Sequence, residues 1–310
     1  MARKLINTKE ISHEDWLEIR KRSIGGSEAG ALVNMNPYAS PLTLYLDKKN
    51  LTRPRETNES MRLGNDLEEY VAQRFCEETG KKVRRDNYMW QHDEYDYITA
   101  NVDRVIVGEN AGLECKTMGS FNNYDLENGE VPAYYWAQCQ HYMMVMGYER
   151  MYLAILVFQK GIYINPIERN QEFIDGLLLT EKYFWENYIE KDQMPAPDGS
   201  EASTEAIKTM YPDSIKGQTI EMPNVDGLIK EYLYLGERIN EIKEKQSEVK
   251  NKICSMLGTA EAGEGLEYKC SWKSSTTKRV DTEKLKKAFP EVYAAVVKST
   301  TSRTFRARKR

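Results

Sequence analysis

"NVDRVIVGENAGLECKT", residues 101–117, puts an acid, Asp103, at the head of one apolar run and an acid and a base, Glu114 and Lys116, inside a second. Side chains two apart in a strand project to the same face, so Glu114 and Lys116 look one way and Cys115 the other. Whether Asp103 joins them depends on the turn. With 108–111 as a four-residue loop, Val107 faces Gly112, Val105 faces Glu114 and Asp103 faces Lys116. A five-residue loop sends Asp103 to the other face unless a bulge intervenes.

Two carboxylates about 4 Å apart repel by about 4 kcal/mol at an effective dielectric of about 20, so a shared face calls for a cation between them. Oxygen ligands without imidazole or thiolate favour Mg²⁺ or Mn²⁺, which keeps several waters and sits on one or two carboxylates plus a substrate phosphate. Lys116 would orient a nucleophile or offset charge on that phosphate. The other reading is an exposed hairpin on which Glu114 and Lys116 are solvated partners. The apolar residues on both sides favour burial, where unpaired charge is expensive.

The rest of the chain narrows the chemistry by exclusion. At 310 residues, 40% hydrophobic and 30% charged, it is long enough for one large domain or two and ordinary for a globular protein. No apolar run reaches the ~18 to 20 residues of a membrane helix, and "MARKLINTKEISHEDW" lacks the apolar centre of a signal peptide, so a cytoplasmic address is expected. Five cysteines without CxxC spacing and three scattered histidines argue against a disulfide framework, a zinc site or a Cys-His machine. Net charge is −4, but residues 266–310 carry 13 Lys and Arg against 4 Asp and Glu. A basic end on an acidic body suggests a polyanion or an acidic partner; a solvated tail is the plainer alternative.

Apolar spacing of three and four with Gly80 as the stop predicts a helix over 59–79. Strands follow over 82–117, a buried helix over 131–146, a hairpin turning at Gln159-Lys160-Gly161 and a helix over 171–190. This order predicts a mixed sheet flanked by helices, an α/β core ending near residue 195. "KDQMPAPDGSEAS" begins a linker over 196–224. Beyond it Leu228, Leu235, Ile242, Val249 and Met256 recur every seven residues, and Tyr232, Ile239, Gln246 and Ile253 fall four after the first four of them. That is the apolar seam of one long helix, about 226–257, which needs a partner: another subunit, a helix over 281–298, or another protein. The last block reads as two polar strands around a short Lys-rich helix, so 225–310 forms a long helix with a small basic α+β extension.

Asp103 with Glu114-Cys115-Lys116 resembles the two halves of the PD-(D/E)xK nuclease motif. "WLEIRKRSIGGSEAG" (16–30), "RLGNDLEEY" (62–70) and "YYWAQCQHYMMVMG" (134–147) are similar to conserved segments of the lambda exonuclease and YqaJ-type viral recombinase family. The resemblance covers about residues 12–190. It implies a restriction-endonuclease-like core and an Mg²⁺-dependent 5′-to-3′ exonuclease on double-stranded DNA ends, with Mn²⁺ substituting. It also implies a single-strand annealing protein as partner and a ring of three subunits.

Carried over by position, the resemblance makes Asp103, Glu114 and the Cys115 carbonyl the metal ligands and Lys116 the catalytic lysine. Glu68 completes the acidic cluster from the preceding helix, and Gln138 positions the water or the lysine. Arg20 and Ser27 hold the 5′-terminal phosphate, and Asp93 matches a further acid. Two positions depart from the pattern: Val102 precedes Asp103 where the family has proline, and Asn101 stands where serine is usual. Each residue also has a plain reading. Glu68 is one of six acids on its helix, Gln138 could simply pack, Arg20 lies in a charge run, and Ser27 suits a helix N-cap. An endonuclease on the same core is one alternative function. A catalytically silent DNA-binding or scaffold protein, using the heptad helix and basic end, is another.

Overall fold

The strands around Glu114 and Ala154 become neighbours in the middle of a five-stranded sheet in the computed structural model, which describes residues 2–52, 58–119, 124–299 and 301–309. Two compact units result, Met1–Tyr211 and Pro212–Arg310. The first begins with β1 (Arg3–Asn7), α1 (His13–Lys21), β2 (Ile24–Gly25), α2 (Gly26–Leu32), α3 (Pro41–Lys48) and α4 (Glu59–Thr79). Five strands follow: β3 (Val83–Arg85), β4 (Tyr88–Gln91), β5 (Ile98–Ala100), β6 (Arg104–Ile106) and β7 (Ala111–Met118). Then come α5 (Ala133–Met146), β8 (Arg150–Val157), β9 (Gly161–Glu168), α6 (Gln171–Phe184) with a π-turn over Trp185–Ile189, and α7 (Glu201–Met210).

The order of the larger sheet is β3-β6-β7-β8-β9. Only β7 and β8 are parallel, which requires the crossover through α5; the other pairs are antiparallel, so the sheet is mixed. Helix α4 covers one face: Val71, Ala72 and Phe75 pack on Leu113, Cys115 and Ala154. Helix α5 covers the other, with Cys139 and Met143 against Met151, Leu153 and Ile155. Gly80 and Gly147 end these helices in the left-handed conformation, φ 69° and 70°, where a Cβ would be strained. A second sheet, β1-β4-β5-β2, was not legible in the sequence.

Two expectations about the first unit change. In the 101–117 hairpin Val105 pairs with Gly112 and Arg104 with Leu113. The turn is therefore 107–110, with Gly108 at φ 85°, and the register is shifted by two residues from the expected one. An even shift preserves the faces. The core also extends past residue 195: α7 lies in the expected linker yet buries Ser203 and Ala206, and Ser203 Oγ donates to Ser40 Oγ at 2.9 Å.

The second unit holds α8 (Val225–Leu257), β10 (Ala262–Glu264), β11 (Lys269–Ser271), α9 (Thr282–Ala288) and α10 (Pro290–Val296). The expected 281–298 helix is two short ones, separated at Phe289-Pro290 because proline cannot continue a helix from its interior. Residues 301–309 form no strand; Arg310, the last of the basic tail, lies outside the described residues. No helix among the described residues is long and apolar enough to cross a membrane.

A buried ion pair ties α5 to its neighbours. His141 Nε2 meets the Thr99 carbonyl of β5 at 2.8 Å, and Nδ1 meets Glu181 Oε1 of α6 at 2.7 Å. A carbonyl only accepts, so both nitrogens donate when Glu181 is ionised and the ring is an imidazolium. Burial opposes that charge, but Glu181 and the Thr99 carbonyl outweigh it and raise the pKa. The pair's contribution is thus complete below the unfolded-state histidine value of about 6.5 and is lost as pH rises through the folded value. His141→Ala, which leaves Glu181 buried alone, is expected to cost about 3–5 kcal/mol in urea melts at about pH 6. The cost should shrink as pH is raised; a pH-independent cost would show that the ring is neutral.

Candidate active site

On β7 the alternation assigns the roles. Ala111, Leu113 and Cys115 face α4, while Gly112, Glu114 and Lys116 face α5. Glu114 is only 2% exposed. Its Oε1 accepts from Gln138 Nε2 of α5 at 2.6 Å and from Lys116 Nζ at 2.5 Å, while Oε2 is buried with no hydrogen-bond partner. Gln138 Nε2 also donates to Tyr142 Oη at 3.0 Å. Lys116 rests its ammonium 5.1 Å above the Tyr135 ring. Continuing the hairpin register by one residue sets Asp103 beside Glu114, and Asp103 Oδ2 accepts from the Cys115 N–H at 2.8 Å.

The electrostatics follow from these contacts. Burial, then the Glu114 charge, push the Asp103 carboxyl well above its ordinary value, and Lys116 offsets part of this. Burial likewise raises Glu114, against Lys116 and Gln138. For Lys116 burial opposes the charge, but Glu114 and Asp103 together lift its pKa well above the usual lysine range. Lys116 is an ammonium, not a base. Without further positive charge the two carboxylates compete for it, and one Glu114 oxygen stays buried without a hydrogen-bond partner, a costly state for a carboxylate. Among the described residues no three His, Cys, Asp or Glu side chains converge as a ligand set. The site offers two carboxylates, a donor set suited to an ion that retains water. The Cys115 thiol is pushed up by burial and faces α4; only its backbone belongs to the site.

Glu68 reaches the group from α4, but accompanied by an arginine. Its charge adds to that of Asp103 and Glu114, but its Oε1 accepts from Arg104 Nη1 at 2.5 Å. Arg104 also donates to Glu69 at 2.9 Å and to the Asp103 carbonyl at 2.7 Å. Arg85, its cross-strand partner, lies 3.1 Å from Glu69 and 3.6 Å from Glu68. Arg104 thus holds one Glu68 oxygen and offsets part of the charge that Glu68 brings to the group. Asp93 lies on the exposed β4–β5 connection, 3.6 Å from His92 and outside the group around Asp103.

Arg20 and Ser27 do come together. Arg20 Nη2 donates to Ser27 Oγ at 3.0 Å and approaches Glu28 Oε1 at 3.4 Å, with the guanidinium over the Trp16 ring. Ser27 is not the N-cap of its helix; Gly25 is, and its N–H donates to Glu28 Oε2 at 2.9 Å. A Cβ at Gly26 would lie 2.5 Å from the Tyr142 ring and one at Gly30 2.9 Å from Tyr134. The glycines of "GGSEAG" therefore let α2 approach α5, and Gly26–Tyr142–Gln138–Glu114 is a continuous line of contacts between the two groups.

Comparison with known proteins agrees with the motifs. The model of the YqaJ-like viral recombinase domain matches residues 15–149. Over 308 residues, 98% of this chain and 97% of the relative, the sequence is 38% identical to the uncharacterized protein YqaJ of Bacillus subtilis (strain 168). The chain belongs to the YqaJ-like viral recombinase family. Solved structures similar to this member of the family include an alkaline exonuclease from Laribacter hongkongensis, at 18% identity, 57% of this chain, 93% of that chain and TM-score 0.47. A phage-related exonuclease from Haemophilus somnus 129PT is similar at 13% identity, 55% of this chain, 96% of that chain and TM-score 0.44.

Lys48 and Glu28 escaped the sequence reading because they lie twenty residues apart with no periodic relation. Lys48, 7% exposed, donates to both Glu28 oxygens at 2.8 Å and to the Arg20 carbonyl at 2.7 Å, using all three ammonium protons. Burial works against the Glu28 carboxylate, but Lys48 and Arg20 outweigh it and hold its pKa below the ordinary value. Burial pushes Lys48 down, with Glu28 offsetting part. Lys48→Met is expected to destabilise the fold by about 3–5 kcal/mol, because Glu28 loses its buried cation and keeps only the 3.4 Å contact with Arg20 and the Gly25 N–H. Adding Glu28→Gln should recover most of the loss. A double variant no more stable than Lys48→Met, by chemical denaturation, would mean that packing and not charge carries the effect.

Proposed function

We propose that this chain is an Mg²⁺-dependent exonuclease, with Mn²⁺ able to substitute, that hydrolyses the 5′ strand from ends of double-stranded DNA in the 5′-to-3′ direction. Its product, a 3′ single-stranded tail, suits homologous recombination by strand annealing. The reading includes a single-strand annealing protein as partner, a homo-oligomer, trimeric by family resemblance, and the cytoplasm of a bacterial host.

One observation carries the reading. Two carboxylates and a lysine meet where the start of β6 lies beside β7, with one Glu114 oxygen buried and unpartnered. Asp103, Glu114 and the Cys115 carbonyl are the groups that would hold the divalent ion. Such an ion, when bound, supplies a Lewis acid and a lowered pKa for water. The side chains do the rest. Gln138 fixes the rotamer of Glu114 through Oε1, leaving Oε2 free to coordinate. Lys116, held as an ammonium, offsets negative charge that grows on the attacked phosphate. Arg20 has a planar fork suited to a terminal phosphate, with the Ser27 hydroxyl beside it.

Lys116→Ala and Glu114→Ala are each expected to lower digestion of 5′-phosphorylated linear duplex by at least about 10²-fold with the fold intact by circular dichroism. EDTA should abolish wild-type digestion, and label should leave first from the 5′ end. Full activity in either variant, or in EDTA, would end the reading. Cutting of covalently closed circles would favour an endonuclease. Salt-sensitive DNA binding without cleavage under Mg²⁺ or Mn²⁺ would favour a silent DNA-binding protein.

A further inference from the structure

Helix α8 has 33 residues and is about 50 Å long. Beyond Tyr232, whose ring meets the Phe305 ring edge-on at 5.1 Å, the seam is open: Leu235, Ile239, Ile242, Val249 and Ile253 are 41% to 61% exposed. The helix's half-buried residues near its start, Ile229, Leu233 and Gly236, run down a different stripe. A seven-residue apolar repeat packs best against another helix, since only a supercoiled partner stays on the seam over several turns.

The charges beside the seam specify which helix. Between residues 236 and 252 every charged residue flanking the seam is a cation: Arg238, Lys243, Lys245, Lys250 and Lys252. The acids of this stretch, Glu237, Glu241, Glu244 and Glu248, lie on the outer face. Arg238–Glu241 and Lys252–Glu248 pair at 2.5 and 2.6 Å on the exposed surface, contacts that neutralise little. Two copies of α8 in parallel would set Arg238 against Lys243 and Lys245 against Lys250. An antiparallel pair centred on this stretch would also set cation against cation. Duplex DNA would meet the cations but leave the apolar seam in water.

We propose that α8 is a docking element for another protein, and that the docked segment is an amphipathic helix with an apolar seam flanked by Asp and Glu. Burying the seam supplies affinity, and the opposed flanks supply direction and selectivity. This holds whether or not the core is a nuclease.

The test uses the full chain and two fluorescein-labelled designed peptides of about four heptads with the same Ile/Leu seam, one flanked by Glu and one by Lys. Anisotropy should show the Glu-flanked peptide binding at least about tenfold more tightly, with affinity falling as salt rises. Ile242→Asp should abolish binding while leaving sedimentation of the chain alone unchanged. Lys243→Glu/Lys245→Glu/Lys250→Glu, all exposed positions, should shift the preference to the Lys-flanked peptide. Neither peptide binding, or both binding equally, would overturn the proposal. So would an oligomer that Ile242→Asp dissociates, which assigns the seam to a second copy. Binding of a duplex oligonucleotide that the three Lys→Glu changes weaken, with neither peptide bound, would assign the flanks to DNA and overturn it too.

Discussion

The Glu114 carboxylate is held out of water between Gln138 and Lys116, and the arrangement of the core turns on keeping it there. A buried carboxylate costs several kcal/mol unless partners are fixed around it. Fixing them requires a strand that cannot slide and a helix that cannot rotate. Strand β7 is hydrogen-bonded on both sides, parallel to β8 along eight residue pairs. Helix α5 is the crossover that the parallel pairing demands, so the connection that closes the sheet also delivers Gln138. The site is in this sense a by-product of topology.

Helix α5 has no free side. Gln138 and Tyr142 face the site, Cys139 and Met143 enter the core, Gln140 Nε2 donates to the Glu168 carbonyl at 2.8 Å and Oε1 accepts from the Asn170 N–H, and His141 binds β5 and α6. Each polar residue is spent on a backbone group or a buried partner, which is how a helix carrying two glutamines and a histidine can be buried all round. It also makes the site stiff. A rotation of α5 that freed Gln138 would break the His141 pair and lift Tyr142 from Gly26.

Sequence patterns were informative where the physics is local. The helix over 59–79 has its stop at Gly80, and the hairpin parity survives a two-residue change in register because the side-chain period is two. The turn itself was misplaced: "GENAG" offers two glycines, and the chain turns at Gly108 while Gly112 lies in β7, where Met151 and Tyr148 leave no room for a side chain. Patterns were mute where contacts are long-range. Nothing in the sequence couples Arg104 to Glu68, or Lys48 to Glu28. Helix α7 looked like linker because "PAPDGS" precedes it, yet Ser200 caps it and Ala206 packs into the cluster around Phe184. The family motifs named Glu68 by position, and only the folded chain shows the arginine occupying it.

Charge is used in two ways along this chain. In the core, Glu114, Glu28 and Glu181 are each buried against a specific cation, so their energy depends on a fixed geometry and salt has little access. On α8 no charged residue is buried, and what is ordered is the angular position of sign around the helix. The first arrangement stabilises one conformation and serves chemistry that tolerates little movement. The second contributes almost nothing to the stability of the isolated helix, since its pairs are exposed. A charge pattern that adds so little to the fold is left to solubility and to whatever meets the helix, and it is the exposed apolar seam between the cations that favours recognition.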